Sequence, residues 1–375
     1  MNPKKETTNR KIMWWKLGVA VAIMIIAAIL FNELIANRAN ISNFFYKMSE
    51  TKMPALSNVV EKYGNLQVLG NSLCDEKGNP IQLKGLSSHG LQWFPFTQGK
   101  TMRNGIQFFD IQVIRTAMYV EVFKNGDFWN GYLAQPEYME AKADMMIQEA
   151  IDNGIYVVLS WHIHNDPMKF KTEAMKFFER MSKKWGKYPN VMFEICNEPE
   201  GNISWNKIKD YAIGDPENLE DGVIDIIRKY DSDSNQNIIL VGTPFWSQQV
   251  DKALENPITE YSNIMYTLHF YASDHKADIR VQAQRALDGG LPIFVTEWGT
   301  CNYKVDGLMD LESSNEWIEW MDKNKISWIN WALANKNEKA SLLNPTSSMD
   351  GPWTEDDLTI SGKFIRSLLI KNQSL

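Results

Sequence analysis

Cysteine is scarce in this chain. Cys74, Cys196 and Cys301 are odd in number and far apart, which excludes a disulfide framework and a cysteine-built zinc site. Histidine is nearly as rare, with five in 375 residues. Basic residues are outnumbered, 39 Lys and Arg against 46 Asp and Glu, for a net charge of −7. No basic stripe is present, so nucleic acid is excluded as a partner, and the charge reads as a solvated acidic surface. The chain also lacks an internal repeat, a low-complexity tract, a second globular module and the Gly-rich turn that binds nucleotides after a first strand.

Aromatic residues are plentiful: 14 Trp, 13 Tyr and 17 Phe. They fill cores, and their flat faces also stack on sugar rings. Only position distinguishes the two uses. With 44% apolar residues, the chain can bury a sizeable core.

The N-terminus reads as an address. Lys4, Lys5, Arg10, Lys11 and Lys16 precede an uncharged apolar run, Leu17–Phe31. With Ile12–Trp15 the run reaches bilayer length, and its positive flank predicts a cytoplasmic N-terminus with the rest exported. No clean small-x-small cleavage site follows, so an uncleaved signal anchor over 1–31 is expected in preference to a cleaved signal peptide. Residues 32–63 read as a polar, partly helical stalk, and 64–372 as the catalytic domain.

Past residue 66, Leu66–Leu69 and Ile81–Leu83 flank the turn Asp75-Glu76-Lys77-Gly78-Asn79-Pro80 and suggest a hairpin. Apolar β-rich runs follow: Leu83–Leu86, Ile111–Ala117, Tyr156–Trp161, Val191–Ile195, Ile238–Val241, Ile264–Leu268, Ile293–Thr296 and Ser327–Trp331. Amphipathic helices are expected between them, including Tyr138–Asn153, Thr172–Trp185, Leu219–Tyr230, Ile279–Asp288 and Asn315–Asn324, with Ser361–Ile370 as the last. Strand–helix alternation implies parallel strands, and eight such units close into an α/β fold, the (β/α)8 or TIM barrel. A doubly wound sheet would use fewer strands.

Barrel active sites sit where strands run out. The polar residues there are His89, Arg115, His162, Asn197, Glu198, His269, Tyr271 and Glu297, with Trp93 and Trp331 beside them. Glu198 and Glu297 follow the fourth and seventh strands. Cleaving an acetal needs one carboxyl to protonate the departing oxygen and another to meet the anomeric carbon; their gap decides retention or inversion. Glu194, inside its strand, suits a structural pair. Arg115 can keep a carboxylate ionised, Tyr271 can donate to it, His162 and His269 can bind hydroxyls, and Asn197 can donate to a sugar 2-hydroxyl. His162-x-His164 has the form of a zinc pair, but the third ligand would have to be His89 or His269, and no metal is expected.

These segments resemble glycoside hydrolase family five, in its bacterial endoglucanase (cellulase) subfamily, over roughly residues 64–370. The carriers are Leu83-Lys84-Gly85-Leu86-Ser87-Ser88-His89-Gly90-Leu91-Gln92-Trp93, Val113–Tyr119, Phe193-Glu194-Ile195-Cys196-Asn197-Glu198-Pro199, Thr267–Ala272 and Phe294-Val295-Thr296-Glu297-Trp298-Gly299. The resemblance implies cofactor-free, retaining hydrolysis of internal β-1,4-glucan links, with Glu198 as acid/base and Glu297 as nucleophile. By motif match, Arg115, His162, Asn197, His269, Tyr271 and Trp331 surround the reacting sugar. His89, Trp93, Tyr119, Lys336 and Glu338 bind sugars on the non-reducing side. Cys196 and the segment after His162 depart from the family pattern. A β-mannanase, a mixed-linkage glucanase and a non-catalytic glycan-binding barrel are the alternatives. A monomer is expected.

Overall fold

The computed structural model describes residues 55–94, 99–125, 128–215, 220–231 and 236–370. The expected anchor over 1–31 lies outside them. Among the described residues, no helix is long and apolar enough to cross a membrane.

The eight apolar runs form a closed parallel barrel. Its strands are β3 (Lys84–Ser88), β4 (Val113–Tyr119), β7 (Tyr156–His162), β8 (Val191–Glu194), β9 (Ile239–Val241), β10 (Ile264–Tyr271), β11 (Ile293–Gly299) and β12 (Trp328–Leu333), paired in that order with β12 returning to β3, while β5 (Phe123–Asn125) and β6 (Phe128–Asn130) pair as a separate two-stranded sheet. They are buried along their length except at Tyr119, which ends β4 partly buried, and β7 and β11 are buried over all seven residues, as a sheet covered on both faces requires. The register sets His269 beside Glu297, and irregularities interrupt the ladder between Thr267 and His269 and between Val295 and Trp298. Such breaks at a barrel rim re-aim side chains.

Helices pack outside. Trp161, Trp298, Trp317 and Trp328 are fully buried, and Phe270 stacks on Trp317 with centroids 3.8 Å apart. Much of the aromatic content is therefore core. The helices expected near 138, 172, 279, 315 and 361 run Pro136–Asp152, Lys171–Trp185, Ala277–Asp288, Leu311–Lys323 and Ile360–Ile370, and the one expected over Leu219–Tyr230 runs Val223–Arg228. Lys100–Phe109 and Trp205–Ile213 are additional helices.

The hairpin differs from expectation. Its arms are β1 (Gln67–Leu69) and β2 (Ser72–Cys74), joined at Gly70-Asn71. Ile81–Leu83 is not an arm; the turn at 75–80 closes on a single bridge, Cys74 to Pro80, held by the Asp75 carboxylate accepting from the amides of Lys77 and Asn79. The compact unit begins at Ala55. Within the stretch expected to end a stalk, Ser57 and Val60 donate backbone bonds to Asn153 and Gly154, ahead of β7. Val68 N donates to Asn263 Oδ1 before β10, and Tyr156 Oη to the Gly64 carbonyl. The hairpin thus covers the strand starts and leaves the strand ends open.

Candidate active site

The site is assembled around a fully buried guanidinium. Arg115, on β4, donates from Nε to Glu194 Oε2 at 2.8 Å, from Nη1 to Glu297 Oε2 at 2.9 Å and from Nη2 to Asn197 Oδ1 at 2.5 Å. Leaving such a buried charge without a partner costs roughly 3–5 kcal/mol; here three acceptors from β8, its following loop and β11 satisfy it. Glu194 is thereby a structural pair. Glu297 receives a second bond, from Tyr271 Oη to Oε1 at 2.9 Å. Tyr271 fits because position 299 carries no side chain: a Cβ on Gly299 would lie 2.6 Å from its ring.

Glu198 follows β8 and has a different environment. Its Oε1 lies 3.0 Å from His269 Nδ1, and its Oε2 3.8 Å from His164 Nε2. His269 Nε2 lies 2.8 Å from Thr296 Oγ1. Burial lowers His269 to about 4, so the ring is neutral at ordinary pH. The neutral ring carries one N–H, so it donates either to Thr296 Oγ1 or to Glu198 Oε1 and accepts at its other nitrogen.

Burial raises the pKa of both carboxyls. On Glu297 the charge of Glu198 adds to this, while Arg115 and Tyr271 oppose it. An oxygen of Glu198 comes within 4.8 Å of one of Glu297. Two carboxyls this close titrate as a coupled pair. Glu297 has two fixed donors, Arg115 and Tyr271, which favour its ionised form. The same spacing falls below the roughly 6.5–9.5 Å that accommodates an inverting water and near the ~5 Å of a direct attack on carbon.

A cleft of about 750 Å3 opens over this pair. Of the residues expected from the sequence, His89, Trp93, Tyr119, Glu198, His269, Tyr271, Glu297, Trp331, Lys336 and Glu338 line it. Arg115, His162 and Asn197 lie buried behind the lining. His162 stacks against Trp331 at 5.5 Å and contacts the Tyr119 ring at 4.2 Å. Asn197 spends Oδ1 on Arg115 and one Nδ2–H on the Ile163 carbonyl, leaving one N–H. His89 accepts from Gly90 N at 2.7 Å, and Lys336 pairs with Glu338 at 2.6 Å next to it. Trp93 meets the Tyr119 ring edge-on at 4.9 Å.

The cleft also holds residues outside the expected set: His164, Phe245, Trp246, Gln248, His275, Tyr303 and Val305. Phe245 and Trp246 follow the fifth strand, which carries no titratable residue at its end, so a search for polar strand ends passes over it. An aromatic pair at a strand end was the available signal. Among the described residues, the grouping suited to a cation is Glu198, His269 and Glu297, not His162 with His164. The carboxylate oxygens of Glu297 already accept from Arg115 and Tyr271.

Comparison with known proteins gives a consistent set. The model of the cellulase family, glycosyl hydrolase family 5, matches residues 74–337. An endoglucanase from Clostridium saccharobutylicum is 44% identical over 307 residues, covering 81% of this chain and 64% of that protein. Endoglucanase A from Evansella cellulosilytica is 41% identical over 303 residues, covering 80% and 58%. The chain thus spans about three-fifths of the length of these curated relatives. The solved catalytic domain of a Thermobifida fusca endoglucanase matches with a TM-score of 0.75 at 33% identity, over 84% of this chain and 99% of that one. A variant of that domain was solved in complex with cellotetraose.

Proposed function

Because the chain belongs to glycosyl hydrolase family 5, we propose that it is a retaining endo-β-1,4-glucanase working by double displacement. The observation that carries this reading is the pair of carboxyls within 4.8 Å at the ends of β8 and β11, one held by Arg115 and Tyr271 and the other beside His269. Glu297 attacks the anomeric carbon while Glu198 gives its proton to the departing glycosidic oxygen. The glycosyl–Glu297 ester then meets a water, which Glu198, now a base, deprotonates. Arg115 and Tyr271 aim Glu297 and hold its charge until it is spent. The free Nδ2–H of Asn197 is suited to a sugar 2-hydroxyl, a bond that strengthens as the transition state forms. The wall of His89, Trp93, Tyr119, Lys336 and Glu338 supports binding of the non-reducing part of the chain.

The test is a product profile on carboxymethylcellulose, lichenan, xylan and mannan side by side, with the anomer followed by NMR. Fastest release of reducing ends from carboxymethylcellulose, with the β-anomer formed first, is expected. Fastest release from mannan or lichenan moves the assignment to a β-mannanase or a mixed-linkage glucanase on the same barrel. No release from any of them overturns the reading.

The N-terminal basic segment and the apolar run Leu17–Phe31 support a domain exported and held at the membrane. N-terminal sequencing of the protein recovered from membranes should return residues ahead of Leu17; a start beyond Phe31 overturns the anchor.

A further inference from the structure

His164 lines the cleft and has no role in the chemistry above. It is the second histidine of His162-x-His164, in the segment that departs from the family pattern.

The main chain brings this segment to the acid/base. Glu198 N donates to the Ile163 carbonyl at 3.0 Å, and Asn197 Nδ2 donates to the same oxygen at 3.3 Å. His164 is fixed in turn. Its backbone N donates to Glu121 Oε1 at 2.8 Å, and Asn165 Nδ2 donates to that oxygen at 3.3 Å. Its ring lies against Tyr119, centroids 5.3 Å apart, and edge-on to His162 at 5.0 Å. A second tie comes from the loop after β9, where Phe245, Trp246 and Ser247 all have positive φ. Trp246 N donates to the Pro199 carbonyl at 2.8 Å, and Ser247 Oγ to the Asn197 carbonyl at 2.7 Å. The backbone around Glu198 is therefore held, and what remains to be set is the carboxyl itself.

Two imidazoles address that carboxyl. His269 Nδ1 lies 3.0 Å from Oε1, and His164 Nε2 lies 3.8 Å from Oε2. The buried cation Arg115 is spent on Glu194, Asn197 and Glu297. At 3.8 Å the His164 contact is longer than a hydrogen bond. Catalytic hydrogen bonds are often long in the absence of substrate and tighten as the complex forms. The His164 side chain is 35% exposed, so its ring has room to close the gap. A carboxylate also accepts an N–H far more strongly than a carboxylic acid does. Glu198 is a carboxylate between the two displacements, after its proton has gone to the departing oxygen and before water returns one.

We propose that His164 is a positioning residue for Glu198 in the second displacement, donating from Nε2 to Oε2 of the ionised carboxylate and holding it toward the incoming water. This rests on the glucanase reading and gives its second step a residue that the first does not use. In that step the water oxygen bonds to the anomeric carbon, its proton passes to Glu198, and the ester bond to Glu297 breaks. His164 keeps its own hydrogen throughout.

The test compares wild type, His164→Leu and His164→Gln on 2,4-dinitrophenyl β-cellobioside, with and without sodium azide. Dinitrophenolate departs without a proton, so kcat reports the second displacement and kcat/KM the first. In His164→Leu, loss of a hydrogen bond to a charged group is expected to lower kcat about 10-fold. KM should fall with it, and kcat/KM should change by less than about twofold, which also shows that the fold is intact. Azide attacks without giving up a proton, so it should restore turnover and yield the glycosyl azide. His164→Gln, which keeps an N–H donor, should recover most of kcat. An unchanged kcat, an equal loss in kcat and kcat/KM, or a loss that azide does not relieve overturns the proposal. A wild type inactive on this substrate would strike the glucanase reading and the proposal with it.

Discussion

Glu297→Gln is expected to stop turnover, with kcat falling on the order of 10^4-fold or more, while binding of cellotetraose changes little. An amide has no charge to offer the anomeric carbon, so no covalent intermediate forms and the second half-reaction never begins. The amide oxygen still accepts from Arg115, so the buried guanidinium keeps a partner and the fold should hold. Glutamine is for this reason a better probe than alanine, which would leave one of the three acceptors of Arg115 missing. Reducing-end assays and titration calorimetry check the two halves of the expectation. Near-normal turnover would remove the nucleophile from Glu297.

Glu198→Gln should separate the two steps. For polymer and cello-oligosaccharides, whose leaving groups need a proton, kcat/KM is expected to fall about 10²–10⁴-fold. For an aryl cellobioside with a strongly acidic phenol, the first step needs no proton, but the second still lacks its base. A burst of phenol followed by slow turnover is the expected trace. The pH profile should change as well. On the proposed mechanism the active form has Glu198 protonated and Glu297 ionised. Activity is therefore lost as pH rises through the pKa of the first and as it falls through that of the second. Burial raises both, so the wild-type bell sits higher than two ordinary carboxyls would put it. With Gln at 198 the alkaline limb should flatten in the burst phase. An unchanged limb there would assign it to another group.

The barrel was readable because strands buried on both faces leave runs rich in apolar residues, and each of the eight runs coincides with a barrel strand. What misled was local. Lys100–Phe109 starts after Gly99 and carries Gly105 inside, which lowers its helical signal. The hairpin was set on the conspicuous Asp75–Pro80 turn, while the quieter Gly70-Asn71 joins the arms. The site divides in the same way. Titratable residues at strand ends were legible one at a time. That Arg115 serves Glu194, Asn197 and Glu297 at once was not, because it depends on three strands meeting. The turn at Phe245–Ser247 was least legible, since its backbone opposes local preference and is imposed by Asn197 and Pro199, nearly fifty positions earlier.

Gly299 makes no hydrogen bond to either carboxyl, yet the hydroxyl that steadies Glu297 depends on the methyl group it does not have. Efforts to diversify the lining of this cleft by random substitution should treat that position as closed. Even alanine would displace the tyrosine, and the resulting loss of rate would be mistaken for a change in substrate preference.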